Sequence, residues 1–136
     1  IRMYRQTAGH NLVDAALATP VNPADVKGEI LELGRVTGVA EVKPGTPVKK
    51  SGRTSGVTNG TVMYVDATVT VDVDESAQAT WEDQIVTSAI SKPGDSGSLV
   101  VDAENRAVGL LFAGSDKTTV CNRIANVLQV LGVRFP

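Results

Sequence analysis

Between residues 65 and 74 the chain alternates without a break. Val65, Ala67, Val69, Val71 and Val73 fall on one side, and Asp66, Thr68, Thr70, Asp72 and Asp74 on the other. A period of two built on β-branched residues predicts a half-buried strand rather than a helix. The dipeptide Asn59-Gly60 ahead of it predicts a turn. Residues 84–87 and 98–101 predict further short strands, the second stopped by Asp102-Ala103-Glu104-Asn105. Residues 107–112 form a nearly continuous apolar run with turn residues at both ends, which suits a strand buried on both faces. Trp81-Glu82-Asp83 reads as the opening of a hairpin. Short strands separated by turns predict an all-β antiparallel barrel or sandwich.

The two ends differ from this pattern. Ile124, Val127, Leu128 and Leu131 recur at helical spacing and Gly132 follows as a stop. They predict one amphipathic helix from residue 122 or 123 to 131, lying against the outside of the β-structure. The first 45 residues are less regular. Residues 12–17 suit a strand ending in a loop, and residues 29–42 a connecting stretch with a short strand at 30–33. Breaks fall at Thr19-Pro20-Val21-Asn22-Pro23 and Lys43-Pro44-Gly45-Thr46-Pro47. The second break sets the expected domain boundary, with residues 1–45 on one side and 46–136 on the other.

Composition narrows the function. With 136 residues, 42% apolar and 21% charged, the chain suits one globular unit with a real core. Its net charge of −2 gives no reason to expect a nucleic-acid or anionic-membrane partner. No apolar run approaches the ~18 residues that cross a bilayer. The compartment stays open, because no targeting segment is visible. The single cysteine, Cys121, excludes an internal disulfide and reads as a small buried hydrophobe. One histidine and scattered carboxylates make a metal site unexpected, and no cofactor is expected. The basic cluster Lys49, Lys50 and Arg53 reads as solvated surface.

Chemistry concentrates in Lys92-Pro93-Gly94-Asp95-Ser96-Gly97-Ser98. An acyl-transfer serine must sit on a tight turn with its hydroxyl projecting, and backbone N–H groups must converge on the developing oxyanion. Glycines on both sides of Ser96 permit that turn and a close approach of substrate. The strand that follows, Leu99-Val100-Val101, would hold the turn rigid. The nucleophile elbow of α/β-hydrolases does not fit, since it needs glycine at residue 98 and a helix after the serine.

Gly-Asp-Ser-Gly followed by a strand resembles the nucleophile loop of chymotrypsin-like serine proteases. Two more segments fit in the same order. Residues 50–62, Lys50-Ser51-Gly52-Arg53-Thr54-Ser55-Gly56-Val57-Thr58-Asn59-Gly60-Thr61-Val62, resemble the opening of the second barrel in bacterial, streptogrisin-like members. Residues 107–115 resemble the strand that lines the substrate cleft. The resemblance covers residues 12–136. It implies a six-stranded Greek-key barrel with a C-terminal helix at residues 46–136, and an incomplete first barrel at 1–45. It further implies Ser96 as nucleophile, with the N–H groups of Gly94 and Ser96 as oxyanion hole. Phe112, Ala113 and Gly114 become the strand that pairs with a bound peptide, and Ile90 a border of the primary pocket. Ser98 stands where the family often has glycine.

A triad also needs an acid and a base. Asn11-Leu12-Val13-Asp14-Ala15-Ala16-Leu17-Ala18 resembles the family's acid segment, which makes Asp14 the candidate. The one histidine, His10, lies four residues before Asp14, whereas the family's base lies well upstream. The expected base is therefore a histidine on the protein's own N-terminal segment outside this chain, and the chain alone is expected to be nearly inert. In the family's zymogens a freed apolar N-terminus pairs with the acid beside the nucleophile, here Asp95. Ile1 is apolar, but it lies too close to Asp14 in sequence for that role. The sequence supports a trypsin-like serine endopeptidase acting on peptides or proteins. The alternative is a catalytically inactive protease fold used for binding or regulation. A structural β-domain with an accidental turn would require Ser96 to be buried with no cleft. Ala89 and Ile90 carry no charge, which disfavours Lys or Arg substrates.

Overall fold

Six antiparallel strands between Pro47 and Arg123 close on themselves. They are β1 (Pro47–Gly52), β2 (Gly56–Asp72), β3 (Gln78–Ser88), β4 (Leu99–Val101), β5 (Arg106–Gly114) and β6 (Thr118–Arg123). Their neighbour order is β4-β1-β2-β3-β6-β5, and β4 pairs with β5 to complete the ring. Closure leaves no ladder edge open along the paired lengths. The computed structural model describes residues 10–136 and the backbone of Arg2–Met3. Every strand contributes to one interior cluster: Val48, Val62, Ile85, Val100, Val108, Leu111 and Cys121, together with Ile90 from the loop after β3. Cys121 is the buried hydrophobe its composition suggested, and burial pushes its thiol up to about 12.

The alternation read from residues 65–74 holds in β2 as far as Asp72, with Val65, Ala67, Val69 and Val71 half-buried and the intervening residues exposed, whereas Val73 lies past the strand's end and is exposed. The strand is longer than that run, and Asn59-Gly60 lies inside it rather than at a turn. Gly60 is there because the sheet is crowded: a Cβ would sit 2.5 Å from Ile90 Cγ2 and from Ser88 Oγ. The turn falls at residues 53–55 instead. Register shifts between Val62 and Val69 bend β2 against β3, with Asp66 at φ 52°.

Trp81-Glu82-Asp83 is likewise inside a strand, β3, and not at a hairpin. Trp81 is 1% exposed and its ring lies 5.2 Å from that of Phe112. Strand β6 was not anticipated. Its run Thr118-Thr119-Val120 is β-branched, but the polar Asn122 and the nearby helical period hid it.

Helix α1 (Ile124–Leu131) ends at Gly132 as its spacing suggested, and the Gly132 N–H donates to the Gln129 carbonyl. Its apolar stripe packs on the outside of the barrel. Ile124 and Val127 form a second cluster with Ala107 of β5 and Val13.

The described part of the first 45 residues builds no second barrel. Among the described ones no strand there exceeds two residues. The 12–17 strand reduces to Ala16–Leu17, paired with Arg2–Met3, because Val13 turns into the α1 cluster. The 30–33 strand reduces to Glu29–Ile30, since the chain turns back at Glu32 (φ 65°) to pair Gly34–Arg35. His10–Asn11 runs parallel to Thr80–Trp81, and Gly38–Val39 parallel to Arg106–Ala107.

Trp81 ties the β3 wall to β5, so its removal tests the packing. Trp81→Ala should cost about 3–5 kcal/mol, read as a lower urea midpoint at unchanged slope.

Candidate active site

The loop between β3 and β4 folds around one carboxylate. The Asp95 N–H donates to the Lys92 carbonyl (3.0 Å). Ser98 donates to the Asp95 carbonyl twice, through its N–H (3.1 Å) and its hydroxyl (2.6 Å). The Gly97 N–H reaches Leu111 O on β5 at 2.8 Å, and the Leu111 N–H returns to Ser98 O at 3.0 Å. With these bonds made, the amides of Gly94 and Ser96 donate to no protein acceptor among the described residues. Gly94 has φ 102°, and a Cβ there would lie 2.2 Å from Thr54 Oγ1. Ser96 is exposed, and its hydroxyl stands 3.5 Å from the Phe112 carbonyl, too far to be committed to it.

Beneath the loop, Asp95 is sealed. Its side chain and that of Lys50 are both 0% exposed, with Lys50 Nζ 3.5 Å from Asp95 Oδ2. The Thr54 and Ser55 amides donate to Oδ1 at 2.8 and 3.0 Å. The Ser55 hydroxyl and the Lys92 amide (2.9 Å) donate to Oδ2. Burial alone would raise this pKa. The Ser55 hydroxyl, Lys92 amide and Ser55 and Thr54 amides outweigh it and hold the carboxyl well below its ordinary 3.8. Lys50 in turn donates to Ser55 Oγ (2.6 Å) and Gly56 O (2.9 Å). The basic cluster was therefore misread at one position. Arg53 is exposed and Lys49 half-buried, but Lys50 points inward from β1 as the counter-ion of Asp95.

Ser96 opens onto a cleft of about 620 Å³ whose lining includes Ile90, Ser91, Leu111, Ala113 and Gly114. Four expected site residues, Ser96, Ile90, Ala113 and Gly114, thus meet there. Phe112 joins through its carbonyl, while its ring turns to Trp81. An exposed serine beside a cleft counts against the accidental-turn alternative.

Solved structures with this architecture include bacterial proteases. Cellulomonas bogoriensis chymotrypsin is 30% identical with a TM-score of 0.66, over 75% of this chain and 55% of that one. Thermobifida fusca protease A is 26% identical with a TM-score of 0.65, over 76% and 56%. Nocardiopsis protease is 26% identical with a TM-score of 0.63, over 72% and 52%. By fold the chain belongs to the chymotrypsin-like serine proteases. No family model matches it, and no curated protein matches it significantly. The chain spans about half the length of these structures, and its first barrel is correspondingly incomplete.

The remaining described candidates are not among the residues that line the cleft. Asp14 is exposed, and its N–H donates to Asn122 Oδ1 on β6 (3.0 Å). Asn122 Nδ2 donates to Gln84 Oε1 (2.7 Å), and Gln84 Nε2 to Leu12 O (2.9 Å). Two fully buried amide side chains thus fix the Leu12-to-Asp14 segment against the barrel. His10 is bound by Glu82 of β3 and is exposed. Ile1 lies outside the described residues.

The sealed pair makes two expectations. Lys50→Met strands a buried carboxylate and should cost about 3–5 kcal/mol, whereas Lys50→Met with Asp95→Asn should cost less. Asp95 has a folded pKa below its unfolded value, so the unfolded chain binds more protons between the two. Its contribution should be complete above pH 3.8 and be lost as pH falls below that value. Acid titrations of unfolding free energy for wild type and Asp95→Asn should diverge in that sense.

Proposed function

We propose that this chain carries the nucleophile, oxyanion-binding and peptide-binding parts of a serine endopeptidase. Ser96 is the nucleophile, Asp14 the acid, and the base is a histidine on an N-terminal segment outside these 136 residues. The observation that carries the proposal is the nucleophile loop itself. Every N–H donor between Lys92 and Ser98 is used internally except those of Gly94 and Ser96, beside the one projecting hydroxyl.

In this mechanism Ser96 Oγ attacks the substrate carbonyl and its proton passes to the histidine. The carbonyl oxygen becomes an oxyanion and takes hydrogen bonds from the Gly94 and Ser96 amides. The C–N bond then breaks, the amine leaves with the proton from the histidine, and water hydrolyses the acyl-enzyme. Asp14 would orient the histidine, and its attachment to Asn122 and Gln84 supplies the rigidity that role requires. Peptide binding has its own support. Strand β4 pairs with β5 only as far as Leu110, so Phe112 to Gly114 keep an open edge on the cleft side. An extended substrate can add there as a strand. These features fit an enzyme better than an inactive binding module, which has no use for two unengaged amides beside an exposed, weakly held hydroxyl. Among the described residues no helix is long and apolar enough to cross a membrane.

Loss of the base in a comparable triad costs about 10⁶ in turnover, so the chain alone should be nearly inert. Supplied with the histidine-bearing segment, Ser96 should be labelled by an organophosphonate, and Ser96→Ala should not. Asp14→Asn in the completed protein should lower turnover about 10⁴-fold. Absence of labelling in the completed protein would refute the assignment.

A further inference from the structure

The cleft wall shows what side chain the site accepts. Around Ile90, its polar groups are already engaged. The Thr58 hydroxyl donates to Ile90 O at 2.6 Å. The Ile90 N–H donates to Thr119 Oγ1 at 3.1 Å, and the Ser91 and Thr119 hydroxyls lie 2.7 Å apart. Ser55, also on the wall, is bound between Lys50 and Asp95. Ser115 Oγ accepts from the Lys117 and Thr118 amides at 3.1 and 3.2 Å. Ala89, Ile90, Pro93, Leu111 and Ala113 make up the apolar part of the lining.

Charges near the cleft are either sealed behind its wall or exposed on its lining. A bound ammonium would need a carboxylate inside, and the one behind the wall is Asp95, which already accepts from four donors. A bound carboxylate would need a cation, and the one behind the wall is Lys50, whose donors meet Ser55, Gly56 and Asp95. Neither side chain has any exposure. Lys92 and Asp116 also line the cleft, are both exposed, and carry opposite signs. An ionic side chain resting on the apolar wall would lose hydration, and the exposed Lys92 and Asp116 offer one charge of each sign rather than a net counter-charge.

We infer that the pocket beside Ser96 selects peptides with an uncharged apolar side chain, aliphatic or aromatic, at the residue preceding the cleaved bond. The Lys50–Asp95 pair contributes by cancelling its own charge behind the wall. This inference rests on the cleft being the peptide site.

Its test needs no turnover. The Ser96→Ala chain is titrated with blocked tetrapeptides that differ only in the last residue, Phe, Leu, Lys or Glu. Binding is followed through amide NMR shifts of residues 89–98 and 111–116. The Phe and Leu peptides should bind roughly 10- to 100-fold more tightly than the Lys and Glu peptides. A Lys or Glu peptide that binds as well as the Phe peptide overturns the inference and leaves the peptide-site reading standing. No shift with any of the four overturns both. Ser91→Asp, with its fold checked by the amide spectrum away from the cleft, places a carboxylate on the wall. It should reverse the order of the Phe and Lys peptides, and an unchanged order would overturn the inference.

Discussion

A lysine and an aspartate, both wholly removed from water, organise this molecule. Two ions cannot be held in an interior unless their attraction and hydrogen bonds offset the lost hydration. Here that condition shapes the loop. Asp95 gathers amides from residues 54, 55 and 92, and its backbone carbonyl gathers Ser98. Each donor drawn inward is one fewer that can point at substrate, and those left over are the two beside Ser96. The two unengaged amides and the exposed serine beside them thus follow from one requirement, the solvation of a buried carboxylate by protein groups.

The barrel supplies the frame for that loop. Closure by β4 against β5 places the loop's end in the ring and Leu111 within reach of it. Because β4 is only three residues long, it releases β5 early, and the unpaired stretch of β5 becomes cleft wall. A longer β4 would cover the edge at which the proposed peptide substrate would add. The short strand is a functional dimension of the fold.

Local chemistry made some of this legible from sequence. Strict alternation announced β2, the period of Ile124 to Leu131 announced α1, and glycines flanking Ser96 announced a tight loop. Each of these signals lies within a dozen residues. Lys50 was not legible, because it sits among Lys49 and Arg53 and its partner is 45 positions away. Nothing local separates an inward lysine from a surface one except the strand register beside Val48. Asn59-Gly60 misled for a related reason. Turn propensity and close approach both call for glycine, and the neighbour that decides between them, Ile90, is distant in sequence. Asn122 and Gln84 are polar residues on buried strands, so hydropathy alone concealed both β6 and their hold on the Asp14 segment.

The packing of Trp81 has a practical side. It is the chain's one tryptophan, and its indole contacts the ring of the residue whose carbonyl faces Ser96. An indole shielded from water emits toward the blue, and nearby rearrangement alters its yield. The molecule therefore carries a native optical gauge on the far side of its cleft wall, so occupancy can be followed by intrinsic emission without attaching a dye.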